Sequence, residues 1–110
     1  MDGPVVELLK RTGGNTVDEI LVRVPERPQS ISSSLRELSE GGYIKVKGPK
    51  TINDFEELVK RVKSSNGYEY YSAEKQKSCV LEEIMNHAKD FTRTRVHLST
   101  SGFRLALQLG

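Results

Sequence analysis

The stretch from Pro28 to Gly48 limits the possible folds more than any other part of this chain. Ile31, Leu35 and Leu38 recur at i, i+4 and i+7, a stripe that docks one face of a helix on a core. At about 100° per residue, Gln29, Ser33, Arg36 and Glu40 fall on the opposite face. Gly41-Gly42 closes this helix, read as residues 29–40. Tyr43-Ile44-Lys45-Val46-Lys47 then alternates apolar or aromatic residues with basic ones, the mark of a half-exposed strand, and Gly48-Pro49 turns it. A helix handing over directly to a two-faced strand points to a small α+β domain.

The 110 residues suffice for one such domain and one modest core. Ahead of the central helix, Asp2-Gly3-Pro4 opens a first helix carrying Val5, Val6, Leu8 and Leu9, and Gly13-Gly14 stops it. Thr16 stands three residues before Glu19, the spacing of a capping box, and Val17, Ile20, Leu21 and Val24 follow at helical spacing until Pro25. Beyond the strand, Asn53 and Glu56 repeat the capping spacing ahead of Phe55, Leu58, Val59 and Val62. Tyr68 to Tyr71 reads as a short strand. Ser72 caps a longer helix whose expected buried face is Leu81, Ile84, Met85 and Ala88. At the C-terminus, Phe103, Leu105, Leu107 and Leu109 alternate with Arg104, Ala106 and Gln108, which favours a strand paired with Arg95–Leu98.

Three short helices, then Ile31-Ser32-Ser33-Ser34-Leu35-Arg36-Glu37-Leu38-Ser39-Glu40-Gly41-Gly42-Tyr43-Ile44, resemble a winged helix-turn-helix domain of the MarR and PadR type of transcription regulator. A second piece fits the same pattern: Asp90, Arg93 and Arg95-Val96-His97-Leu98 resemble the wing's return strand. Ser99-Thr100-Ser101-Gly102 stands where such proteins open the next helix with Leu-Thr-x-x-Gly. The resemblance thus asks for a helix after Ser99, against the strand that local periodicity favours. It covers residues 1–48 (helix-turn-helix core and first wing strand) and 92–110 (return strand and C-terminal element). Residues 50–91 form a helical insertion at the wing. That insertion reads either as a helical pair enlarging the core or as a dimerisation arm, the resemblance implying a homodimer.

The net charge of +2 hides segregation. Residues 1–22 carry two basic and four acidic side chains, and 51–90 carry six and eight, each block at −2. Residues 23–50 carry six against three, and 91–110 three against none, each at +3. The positive blocks coincide with the pieces resembling a recognition helix and a wing, the footprint of a nucleic-acid face. The resemblance implies sequence-specific binding of double-stranded DNA, with helix 29–40 in the major groove. Gln29, Ser30, Ser32, Ser33 and Arg36 are the candidates for base-edge and phosphate contacts, and Lys45, Lys47, Arg93 and Arg95 for the backbone. The alternative is a winged helix used as a protein-interaction module, which Glu37, Glu40 and the acidic insertion favour.

Other chemistry finds little footing. Cys79, His87 and His97 have no paired metal-ligand spacing, so no metal or other cofactor is expected. Thr100-Ser101-Gly102 lacks the glycine two positions before the serine that a nucleophile elbow needs, and Gly13-Gly14-Asn15-Thr16 lacks a phosphate-loop lysine. An enzyme is not expected. No apolar run reaches the roughly 20 residues of a membrane span, and one cysteine forms no internal disulfide, so a cytoplasmic location is expected.

Overall fold

The computed structural model describes residues 2–109. Helix α1 (Gly3–Thr12) carries Pro4 in its first turn and ends at Gly13, whose N–H donates to Leu9 O at 2.9 Å. A two-residue strand, β1 (Asn15–Thr16), leads into α2 (Val17–Arg23). There the Thr16 N–H donates to Glu19 Oε1 at 2.9 Å, which satisfies a backbone donor at the helix start. The same bond holds the Glu19 carboxyl below its ordinary pKa. After the Pro25–Pro28 turn come α3 (Pro28–Glu40) and β2 (Ile44–Lys47).

Helix α4 (Ile52–Lys63) begins at a different cap from the one the sequence indicated. Thr51 Oγ1 accepts from Asp54 N at 3.0 Å and Thr51 N donates to Asp54 Oδ2 at 2.9 Å, so the box is Thr51/Asp54 rather than Asn53/Glu56. This frees Glu56 for another partner. The expected strand at Tyr68–Tyr71 is instead a 3₁₀ turn, Tyr68–Tyr70, closed by Tyr71 N–H to Tyr68 O. Tyr68 points into the core rather than along a sheet.

Helix α5 (Ala73–His87) is capped by Ser72 Oγ, which accepts from Lys75 N at 3.2 Å. Its buried residues are Gln76, Lys77, Val80 and Ile84, whereas Met85 is 47 % exposed and Leu81 and Ala88 only partly buried. Two polar residues face inward because each has a partner. Gln76 Nε2 donates to Tyr68 O at 3.0 Å, and Lys77 Nζ donates to Val24 O at the end of α2, where a helix terminus favours a cation. A 3₁₀ segment, Lys89–Arg93, joins α5 to β3 (Arg95–Leu98).

The sheet is antiparallel with order β1-β3-β2. Ile44 pairs with Leu98, Lys45 with His97, Val46 with Val96 and Lys47 with Arg95, while β1 sets Asn15 against Val96 and Thr16 against Arg95. Ile44, Val96 and Leu98 face the core, so the period-2 pleat turns Lys45, Lys47 and Arg95 to solvent. At the end of β2, Gly48 has φ +143°, and a Cβ there would lie 2.6 Å from Arg93 O. Only glycine lets β2 leave the sheet this close to the segment entering β3.

The C-terminal element is a helix, α6 (Thr100–Leu109), not the strand that alternation favoured. The Ser99 N–H donates to Tyr43 O at 3.0 Å, Ser99 Oγ accepts from Gly102 N at 3.1 Å, and Phe103 N donates to Ser99 O at 2.9 Å. These bonds cap a helix immediately after the last ladder position, and the cap overrides the alternation. Of the alternating apolar residues, Phe103, Leu107 and Leu109 are left exposed on α6.

One cluster of buried side chains runs through the fold, from Leu9, Ile20, Ile31 and Leu35 to Phe55, Leu58, Tyr68, Val80, Ile84, Phe91 and Val96. Among the described residues no helix is long and apolar enough to cross a membrane. Docking of α6 depends on Gly102, where any Cβ would fall against Tyr43 O and within 3.1 Å of Leu98. Gly102→Ala is therefore expected to cost about 1–3 kcal/mol, as overpacking does, read as a lowered urea midpoint at unchanged slope.

Candidate nucleic-acid interface

The basic residues singled out in the sequence fall into two groups with different surroundings. The first lies on the outer face of the sheet. Lys47 and Arg95 stand directly across β2 and β3, and Lys45 stands across from His97. Lys45, Lys47 and Arg95 are exposed and His97 is half-buried. Arg95 Nη2 donates to Gly14 O at 3.1 Å, which lays the guanidinium toward β1 and widens the patch across all three strands.

Among the described residues none of these three cations makes an ion pair. Like charges directly opposite each other cost a sheet roughly 0.2–1 kcal/mol, so the Lys47/Arg95 pair works against folding unless an anion lies over it. Arg93, at the edge of the patch, is exposed but paired with Asp90.

The second group belongs to α3, and most of it is engaged inside the molecule. Gln29 Oε1 accepts from Tyr68 OH at 3.0 Å, and Gln29 Nε2 lies 3.4 Å from Gln76 Oε1. Arg36 Nε is 2.9 Å from Glu56 Oε2 on α4, and Arg36 Nη1 is 3.8 Å from Glu40. Ser32 is 3 % exposed. What α3 presents to solvent is Ser30, half-buried Ser33, Glu37, Ser39 and Glu40, together with Arg36, whose side chain is 42 % exposed but held between Glu40 and Glu56. Reading of base edges by Gln29, Ser32 and Arg36 would require contacts with α4, the 3₁₀ turn and α5 to break.

Three residues that hold this arrangement gave no sign of it in the sequence. In the sequence Glu56 reads as half of a capping pair and Tyr68 as a strand residue, and nothing singles out Gln76. Each acquires its role from an element more than fifteen residues away, and local periodicity carries no such information. Burial pushes the Tyr68 phenol up to about 12. A raised pKa contributes stability that is intact below the ordinary tyrosine value and is lost as pH climbs through the folded one. Stability is thus expected to fall between about pH 10 and 12, with that fall reduced in Tyr68→Phe, followed by chemical denaturation at each pH.

Cys79 and His87 line a cleft between α4 and α5, but among the described residues no three His, Cys, Asp or Glu side chains gather as a metal would need. No family model, curated protein or solved structure matches this chain.

The cross-strand charges give a direct check on the patch. Lys47→Glu turns a repulsive pair into an attractive one. It is expected to stabilise the free protein by a few tenths of a kcal/mol, in a thermal melt whose gain shrinks as salt is added.

Proposed function

We propose that this chain is a winged-helix domain that binds double-stranded DNA through its sheet, with Lys45, Lys47 and Arg95 on the phosphate backbone and Arg93 beside them. The observation that carries the reading is a row of three exposed, unpaired cations on adjacent strands, two of them in direct opposition. Such a row is costly alone and favourable over a line of phosphates. The order helix, strand, helix, helix, strand, insertion, strand supports the winged-helix assignment, as does pairing of the first short strand with the last. Together with the resemblance to MarR- and PadR-type regulators, this order supports a reading in which the domain acts in transcription regulation.

In this reading the backbone contacts dominate. Ser30 and Ser33 are the α3 residues open to a groove, while Gln29 and Arg36 are engaged by Tyr68 and Glu56 and Ser32 is buried. Affinity should therefore be strongly salt-dependent and weakly sequence-dependent.

A second reading, an interaction module or homodimer, rests on α6, where Phe103, Leu107 and Leu109 are 47 %, 73 % and 58 % exposed. Fluorescence anisotropy with labelled duplexes separates the two. Lys47→Ala and Arg95→Ala are each expected to weaken binding about equally across sequences and to lower the log–log salt slope by about one, with Arg36→Ala close to wild type. Absence of duplex binding at low salt, combined with self-association abolished by Leu107→Asp, would favour the interaction module.

A further inference from the structure

Between α3 and α4 lies a second feature that the sheet face does not use. A cavity of about 130 Å³ is lined by Gln29, Ser32 and Ser33 from α3 and by Glu56, Val59, Lys60 and Lys63 from α4. Ser32 is 97 % buried by its 3 % exposure, and its Oγ has no hydrogen-bond partner. A buried hydroxyl without a partner is destabilising, and native structures rarely keep one without a reason. Ser33 adds a neighbouring hydroxyl on the same wall.

The charges at the mouth point to the chemistry of the missing partner. Lys60 and Lys63 are exposed, and among the described residues neither forms an ion pair. Glu56 also lines the cavity and shares the Arg36 guanidinium, at 2.9 Å, with Glu40, whereas the two ammonium groups have no ion-pair partner among the described residues. The lining thus combines one buried and one half-buried serine with two exposed ammonium groups. Charge-assisted hydrogen bonds to an oxyanion suit such a set better than an apolar or cationic ligand would. The space is that of a few water molecules at about 30 Å³ each, enough for one tetrahedral group.

We propose that the α3/α4 cleft binds a single phosphate oxyanion, with Ser32 Oγ and Ser33 Oγ donating to it and Lys60 and Lys63 neutralising it. The source is either a free phosphoryl ligand or one phosphate of a nucleic acid. The proposal stands apart from duplex binding by the sheet, because the sheet's contacts are read on Lys45, Lys47 and Arg95 and the cleft's on Ser32, Lys60 and Lys63.

Titration of the ¹⁵N-labelled protein with inorganic phosphate, against chloride at matched ionic strength, tests it. Saturable amide shifts at Ser32 and Ser33 are expected in phosphate, with affinity roughly tenfold lower in Ser32→Ala and in Lys60→Gln/Lys63→Gln. In chloride, Ser32→Ala should be no less stable than wild type, since it removes an unpaired hydroxyl. In phosphate, only the wild type should gain thermal stability. A duplex that shifts the same two amides identifies a backbone phosphate as the source, whereas one that shifts only Lys45, Lys47 and Arg95 identifies a free phosphoryl ligand. Absence of saturable shifts in phosphate, or equal affinity in Ser32→Ala, would overturn the proposal and leave the cleft to water.

Discussion

Helix α4 lies along α3, and most of what distinguishes this molecule follows from that contact. Phe55, Leu58 and Val59 are at most 2 % exposed and share one core with Ile31, Leu35 and Leu38. Phe55 meets Phe91 edge to face at a centroid distance of 5.8 Å, which ties α4 to the segment entering β3. Burying one such side chain contributes roughly 1.5–3 kcal/mol, so detaching α4 would cost an amount comparable to the 5–15 kcal/mol stability of a whole domain. The helical segment between β2 and β3 is therefore a wall of the core rather than an appendage. Its polar contacts, Tyr68 to Gln29 and Glu56 to Arg36, follow from a packing already fixed by apolar area.

That wall redistributes the charge. By segment, residues 23–50 and 91–110 each carry +3, and the sequence alone does not rank one above the other for a polyanion. In three dimensions Arg36 is neutralised from α4 and from its own helix, and Arg93 is neutralised by Asp90. Of the other cations in these segments, Lys45, Lys47 and Arg95 are gathered on one sheet face by strand register rather than by sequence proximity. A nucleic-acid function assigned to the sheet face and a phosphate assigned to the α3/α4 cleft both draw on cations left over after this pairing.

The parts of the fold visible in the sequence are those fixed within a few residues. Gly13, the Thr16/Glu19 pair, Pro25 and Gly41-Gly42 bound α1, α2 and α3 close to the observed positions, and alternation located β2. The sequence also located β3. The misread elements were decided by distant partners. Phe103–Leu109 alternates like a strand, yet Ser99 caps it and Gly102 seats it against Tyr43, so the pattern leaves apolar residues exposed on a helix. The buried face of α5 was misplaced because Gln76 and Lys77 find acceptors on Tyr68 and Val24. On the candidate interface, Lys45, Lys47 and Arg95 were legible from the strand pattern alone. Gln29 and Arg36 lie off the apolar stripe as the spacing indicates, but their partners come from residues 51–90, which no spacing rule could supply.

The central claim is that α3 and the insertion form one cooperative unit. Native-state hydrogen exchange measures this directly, because amides in a detachable segment open at lower cost than those of the core. The account predicts that the slowest amides of α4 and α5 exchange with the same opening free energy as Leu35 and Leu38, equal to that of global unfolding. Exchange in α4 and α5 through a cheaper opening, with α3 and the sheet still protected, would contradict it.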